Sequence, residues 1–170
     1  MEEERRLSSD EIRNLRKLLD VEEIKDLRLK YSYCMDARDL ENLVQLFADD
    51  AVCRFGPYGE WGGRDNILKG YKETFEETLT TPFAGMHIST NHLVEISDPS
   101  TARGRAYLSD VITKNEDGSD IEEGKSNFLW FALYDERYVK LDGVWKIKVM
   151  DLHFFWPDRQ VSEDVVKKFF

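Results

Sequence analysis

Apolar positions recur along this chain with two different periods, and the change between them divides it. Before residue 82 the period is helical. Ile24, Leu27, Tyr31, Cys34 and Met35 fall three and four apart and make one stripe, the pattern of a helix packed on one side. Ser8-Ser9-Asp10-Glu11 has the form of a capping box, and Asp20-Val21-Glu22-Glu23 predicts a second helix start. Asp36 stands at the end of this helical stretch. Asp39 then caps a short helix carrying Leu40, Leu43, Val44 and Phe47; Asp49-Asp50 interrupts it, and Ala51 to Phe55 reads as a short strand. Gly56-Pro57-Tyr58-Gly59 is a turn cluster, and Gly62-Gly63 leads into a third helix with Ile67, Leu68, Tyr71, Phe75 and Leu79.

Beyond Pro82 and Gly85 the period becomes that of strands. Turn signals at Asp98-Pro99-Ser100, Asn115-Glu116-Asp117-Gly118 and Asp142-Gly143 separate four long strands, about 86–97, 101–114, 123–141 and 144–156. Helices first and an antiparallel meander second predict an α+β fold with the helices on one face of the sheet. Ser162 to Phe170 is weakly helical. No repeat, linker or low-complexity segment intervenes. Residues 1–170 are therefore expected to form a single domain with its core at about 20–157, a short N-terminal helical extension and a C-terminal tail.

Composition narrows the partners. The chain has 170 residues, enough to bury a continuous core. Its net charge of −10 opposes nucleic acid and anionic membranes, so neither is expected, and an apolar small molecule is the easier ligand. No apolar run approaches the roughly 18 residues of a membrane span. The N-terminus, Met1-Glu2-Glu3-Glu4-Arg5-Arg6, is not followed by an apolar signal core, which predicts a cytoplasmic protein with Cys34 and Cys53 reduced.

The candidate chemistry starts from the three histidines, His87, His92 and His153. A hairpin centred on Pro99 pairs residues whose numbers sum to about 197–199, which sets His87 opposite a residue near Asp110 and on the same face. On that strand Ala102, Gly104, Ala106, Leu108, Asp110 and Ile112 share one side, and Arg103, Arg105, Tyr107 and Ser109 the other. Asp110 is thus a carboxylate on a small and apolar face, where a charge is costly without a partner. Alternation alone sets His92 with Ile88, Val94 and Ile96, and His87 with Ser89, Asn91 and Leu93, so the two histidines compete for the inner face. A metal site from His87, His92 and Asp110 matches no standard spacing, and neither metal nor another cofactor is expected.

The runs Lys30-Tyr31-Ser32-Tyr33-Cys34-Met35-Asp36, Gly63-Arg64-Asp65-Asn66-Ile67, Met86-His87, Tyr107-Leu108-Ser109-Asp110 and Tyr138 to Ile147 resemble, in order and spacing, the SnoaL-like branch of the nuclear transport factor 2-like superfamily. The resemblance covers about residues 20–157. It implies a cone-shaped α+β barrel, a curved and mostly antiparallel sheet packed on three N-terminal helices. Within the superfamily the likeness is to bile-acid 7α-dehydratase, scytalone dehydratase and hexachlorocyclohexane dehydrochlorinase. In those lyases a histidine opening the first long strand pairs with an aspartate ending the first helix to abstract a proton. By motif these roles fall on His87 and Asp36. The bile-acid dehydratase pattern adds a tyrosine five residues before that aspartate, here Tyr31, and an aspartate after Tyr-Leu-x, here Asp110. It also has an arginine on the last strand where this chain reads Phe154, which leaves His92 or His153 as candidate replacements.

The resemblance thus implies a cofactor-independent, dehydratase-like lyase or isomerase acting on a largely apolar, hydroxylated or keto compound, polycyclic substrates included. Phe55, Tyr58, Trp61, His153 and Phe154 are expected to bind it. The aromatic set with Phe128, Trp130 and Trp156 lines a pocket or fills a core. Two other functions stay open, the non-catalytic small subunit of a ring-hydroxylating dioxygenase and a small-molecule-binding protein. An outer sheet face rich in aromatics needs covering, so a homodimer or homotrimer is expected.

Overall fold

The computed structural model describes residues 6–115, 119–123, 125, 127–157, 159 and 165. Three helices, α1 (Ser9–Ala37), α2 (Leu40–Val44) and α3 (Arg64–Thr74), accompany six strands. These are β1 (Phe47–Arg54), β2 (Glu60–Gly62), β3 (Gly85–Asp98), β4 (Thr101–Ile112), β5 (Phe128–Leu141) and β6 (Val144–Trp156). The strands form one curved sheet in the order β2-β1-β6-β5-β4-β3. Among the described residues only β1 against β6 is parallel. This is the expected cone-shaped α+β arrangement, with the sheet left open between its edge strands β2 and β3.

The Ser8 side chain accepts from the Glu11 backbone, and Glu11 reaches back to the Ser8 backbone, so the first capping box forms. The second does not. Helix α1 runs unbroken through Asp20, whose carboxylate instead accepts from Lys140 Nζ at 2.5 Å and Trp145 Nε1 at 2.9 Å. An aspartate that looks like a cap is thereby an anchor between the helix and strands β5 and β6. Phe47, assigned by spacing to the second helix, opens β1, and the exposed Asp49 and Asp50 lie within that strand. Helix α3 ends at Thr74, so Leu79 falls outside it. Strand β5 starts at Phe128, later than expected. At the second hairpin Asn115 N donates to Ser119 O at 2.9 Å, while 116–118 lie outside the described residues. So do Met1 to Arg5, the side chain of Phe128 and, apart from residue 165, the tail from Ser162 to Phe170.

Strands β3 and β4 pair with His87 opposite Asp110. One correction concerns their phase. The register shifts between Thr90↔Tyr107 and Leu93↔Arg105, with one extra residue in β3, and Asn91 adopts φ 53°. A bulge of this kind inverts the alternation beyond it, and asparagine tolerates the left-handed backbone. His87 and Ser89 before the bulge, and His92, Val94 and Ile96 after it, therefore all turn to the same inner face. The two histidines do not compete.

The core lies between that face and the stripe of α1, where Ile24, Leu27, Tyr31 and Met35 are buried. Small and large residues alternate across the sheet. Ala102 faces Tyr138, Gly104 faces Glu136, and Ala106 faces Tyr134. Gly104 is required by close approach, because a Cβ there would stand 3.0 Å from His92 Nε2 and from the Tyr138 ring.

Candidate active site

The last two turns of α1 carry Tyr31, Ser32, Met35 and Asp36 on their buried side. The helix then stops at Arg38 in the left-handed conformation (φ 60°), and Phe83 N donates to the Asp36 carbonyl at 2.7 Å. These contacts fix the Asp36 carboxylate against the start of β3. Its Oδ1 lies 2.7 Å from His87 Nδ1, and the His87 backbone N–H donates to Oδ1 at 3.0 Å and Oδ2 at 3.2 Å. Asp36 is 7% exposed and stands behind His87, which lines a cavity of about 580 Å³. A cavity of this size suits a small organic molecule.

With Nδ1 committed to Asp36, Nε2 is the nitrogen left to face the cavity. Asp110 Oδ2 lies 3.9 Å from it, beyond hydrogen-bond reach. Asp110 Oδ1 is buried and has no partner among the described residues. Burial pushes the Asp110 carboxyl above the usual carboxylate range and Asp36 adds to this, while His87 and Arg38 oppose it. Burial thus makes the Asp110 carboxyl hold its proton more tightly than an exposed aspartate would.

Tyr31 also lines the cavity, with its hydroxyl 2.8 Å from that of Tyr71. Burial holds both phenols well above their ordinary range, so both are donors rather than anions. Phe55, Tyr58, Trp61 and Phe154 lie on the wall as well. Tyr58 packs edge-on against Phe154, and Trp61 against Tyr71. His153 does not lie there. It alternates with the buried Leu152 and Phe154, and pairs opposite Leu133 on the outer face of the sheet. His92 faces inward yet away from the cavity wall, bonded through Nε2 to Tyr138 Oη at 3.1 Å. Neither histidine takes the place of a last-strand arginine.

Sequence reasoning missed several of the groups gathered here. Tyr134, Leu108 and Leu152 belong to the wall, and so does Arg38. Beneath it Arg28 is sandwiched between Tyr31 and Tyr134, its Cζ 3.7 Å and 3.9 Å from their ring centroids. Arg28 Nη1 pairs with Glu136 Oε1 at 2.7 Å, with the two side chains 1% and 0% exposed. Glu136 also accepts from Tyr138, the partner of His92. The available signal was phase, since Arg28 lies three residues before Tyr31 and four after Ile24, on the apolar stripe itself. Among the described residues no three His, Cys, Asp or Glu side chains are grouped to hold a metal ion.

A model of the SnoaL-like domain matches residues 16–151. The chain belongs to the SnoaL-like family. Solved structures agree on the fold of this SnoaL-like protein. A proposed scytalone dehydratase from Novosphingobium aromaticivorans is 23% identical with a TM-score of 0.68, covering 83% of this chain and 87% of its own. A nuclear transport factor 2-like protein of cystatin-like fold from the same organism is 18% identical, with a TM-score of 0.72 and coverage of 86% and 89%. A type 2 hexachlorocyclohexane dehydrochlorinase, LinA, is 19% identical with a TM-score of 0.65, covering 88% and 98%. Among the described residues no helix is long and apolar enough to cross a membrane.

Proposed function

We propose that this SnoaL-like protein is a cofactor-independent lyase or isomerase of the dehydratase type, with His87 as the base. The observation that carries the reading is the 2.7 Å contact of Asp36 with His87 Nδ1 on the wall of an aromatic cavity. The Asp36 carboxylate accepts Nδ1–H, which fixes the tautomer and leaves the Nε2 lone pair free to face the cavity. Nε2 takes a proton from carbon, and the C–H electron pair becomes the new double bond. The C–O bond breaks, and the departing hydroxyl leaves as water with a proton from Asp110 in its protonated form. The imidazolium then returns its proton to Asp110, so the site resets without a co-reactant. Tyr31 is a second donor, placed to hold the substrate oxygen. A positioned base of this kind is worth on the order of 10²–10⁴ in rate. The aromatic walls support a largely apolar hydroxylated or keto substrate.

Proton abstraction can be followed before the natural substrate is known. Alicyclic β-hydroxyketones and enones incubated with the protein in D₂O are expected to gain deuterium beside the carbonyl, or to lose water, by NMR. His87→Ala and Asp36→Asn should each reduce this at least a hundredfold with unchanged circular dichroism. Wild-type protein inert to the whole panel, or His87→Ala near full activity, sinks the lyase reading. Inertness with tight ligand binding favours a binding protein, and co-purification with an iron-containing large subunit favours the dioxygenase role. The exposed aromatics of the outer sheet face support a homodimer or homotrimer.

A further inference from the structure

The cavity wall is mainly apolar, so its few charges stand out. His87 and Asp110 belong to the proton-transfer pair, Lys114 pairs with Asp120, and Glu77, next to Thr78 in sequence, also borders the cavity. Arg38 is different. Among the described residues it has no carboxylate within ion-pair distance. Its guanidinium is held by other means. Nη1 donates to Met35 O at 2.7 Å, Nη2 reaches Thr78 Oγ1 at 3.4 Å, and Cζ lies 4.1 Å from the Phe75 ring centroid. Its Nε is buried and has no partner among the described residues. A carbonyl, a hydroxyl and a ring orient the cation, and Asp36 and Asp110 act on it only at longer range, beyond ion-pair distance. Two residues from Asp36, it lines the cavity from the end of α1, while the last strand contributes the apolar Leu152 and Phe154 to the wall.

We propose that Arg38 forms an anion subsite in this cavity, so that the substrate class carries a carboxylate, or a carbonyl whose oxygen becomes negative as the proton leaves. This deepens the preceding reading and rests on its assignment of the cavity as the binding site. A planar guanidinium whose plane is set by Phe75 presents paired N–H groups to a planar O–C–O or C–O⁻ group, which a lysine cannot reproduce. The otherwise apolar wall lowers the local dielectric and strengthens that contact. The alternative is that Arg38 does no more than close the end of α1 through Met35 O.

The two are separated with a pair of unreactive probes of one shape, 2-naphthoate and its methyl ester. Their binding is read by quenching of Trp61 and Trp130, both on the cavity wall. Wild-type protein is expected to prefer the acid anion to the ester by about tenfold or more, the size of one charge-assisted hydrogen bond. Arg38→Met should erase that preference and leave ester binding within about twofold, and Arg38→Lys should restore part of it. Arg38→Gln, which keeps an N–H for Met35 O, guards against a folding defect and should behave like Arg38→Met. Equal affinity of wild type for the two probes overturns the proposal. So does a parallel loss of both in Arg38→Met and Arg38→Gln, the signature of a helix cap. Because the readout is equilibrium binding, loss of the lyase reading in D₂O leaves this result standing, and the reverse also holds.

Discussion

His87 is useful because its two nitrogens meet different surroundings. Nδ1 is held by a carboxylate that also accepts the histidine's own backbone N–H, so ring and strand are fixed by one group. Nε2 meets a cavity and, at 3.9 Å, an aspartate that burial keeps proton-loving. The Asp110 carboxyl lowers the stability of the fold once it ionises, and the sign follows from its direction of shift. Its folded-state pKa lies above the unfolded value, so between the two the native state holds more protons. Stability from this group is therefore fully present below the unfolded value and falls as pH rises through the folded one. Asp110→Asn should raise the melting temperature at pH 7 and leave it unchanged near pH 3, while turnover drops at least tenfold. Melting curves at the two pH values check the first part. A variant that loses stability at pH 7 contradicts the raised pKa.

At the scale of elements, helix α1 is locked to β5 by a buried ion pair. Arg28 and Glu136 are both out of water, and two Arg28 nitrogens, Nε and Nη2, have no hydrogen-bond partner among the described residues. Removing one partner strands the other charge. Arg28→Met should cost about 3–5 kcal/mol in denaturant unfolding, and Arg28→Met with Glu136→Leu should recover most of it. A double variant no more stable than the single one would show that the guanidinium acts through Tyr31 and Tyr134 rather than through Glu136. Other parts of this architecture were legible beforehand. The Pro99 hairpin placed His87 opposite Asp110, and the small inner residues of β4 marked its face. The phase of His92 was not legible, because no glycine or proline announces the bulge at Asn91. Nor was the use of Asp20, where a capping pattern and a tertiary anchor demand the same side chain. His153, expected on the wall beside Phe154, turns to the outer face because strand alternation separates the two neighbours. Arg38 left no trace in the periodicity, since it belongs to the end of a helix rather than to a face.

For the whole molecule the notable surface is the far side of the sheet. Ile88, Tyr107 and Phe131 are 43%, 48% and 37% exposed there, with Met86, Leu93 and Trp156 around them. The first turns of α1 add Ile12, Leu15, Leu18 and Leu19, also exposed. Two such regions on a chain of net charge −10 fit an assembly in which apolar contact outweighs like-charge repulsion. Sedimentation velocity is expected to show a dimer or trimer that strengthens with added salt. Tyr107→Glu combined with Phe131→Glu should yield monomers with an intact fold and unaltered cavity binding. Wild-type protein that sediments as a monomer at all concentrations would refute this.

The bulge at Asn91 has a meaning for how such a protein can change over generations. It splits one strand into two segments whose side-chain parity is set independently. The segment with His87 borders the cavity, and the segment with His92, Val94 and Ile96 turns to the interior beneath α1. Loss of the single Asn91 codon would force one segment to invert and expose what it now encloses. Substitutions on either side of it, by contrast, leave the other segment's assignment intact. A lineage can therefore revise what the cavity accepts without renegotiating how the fold is held.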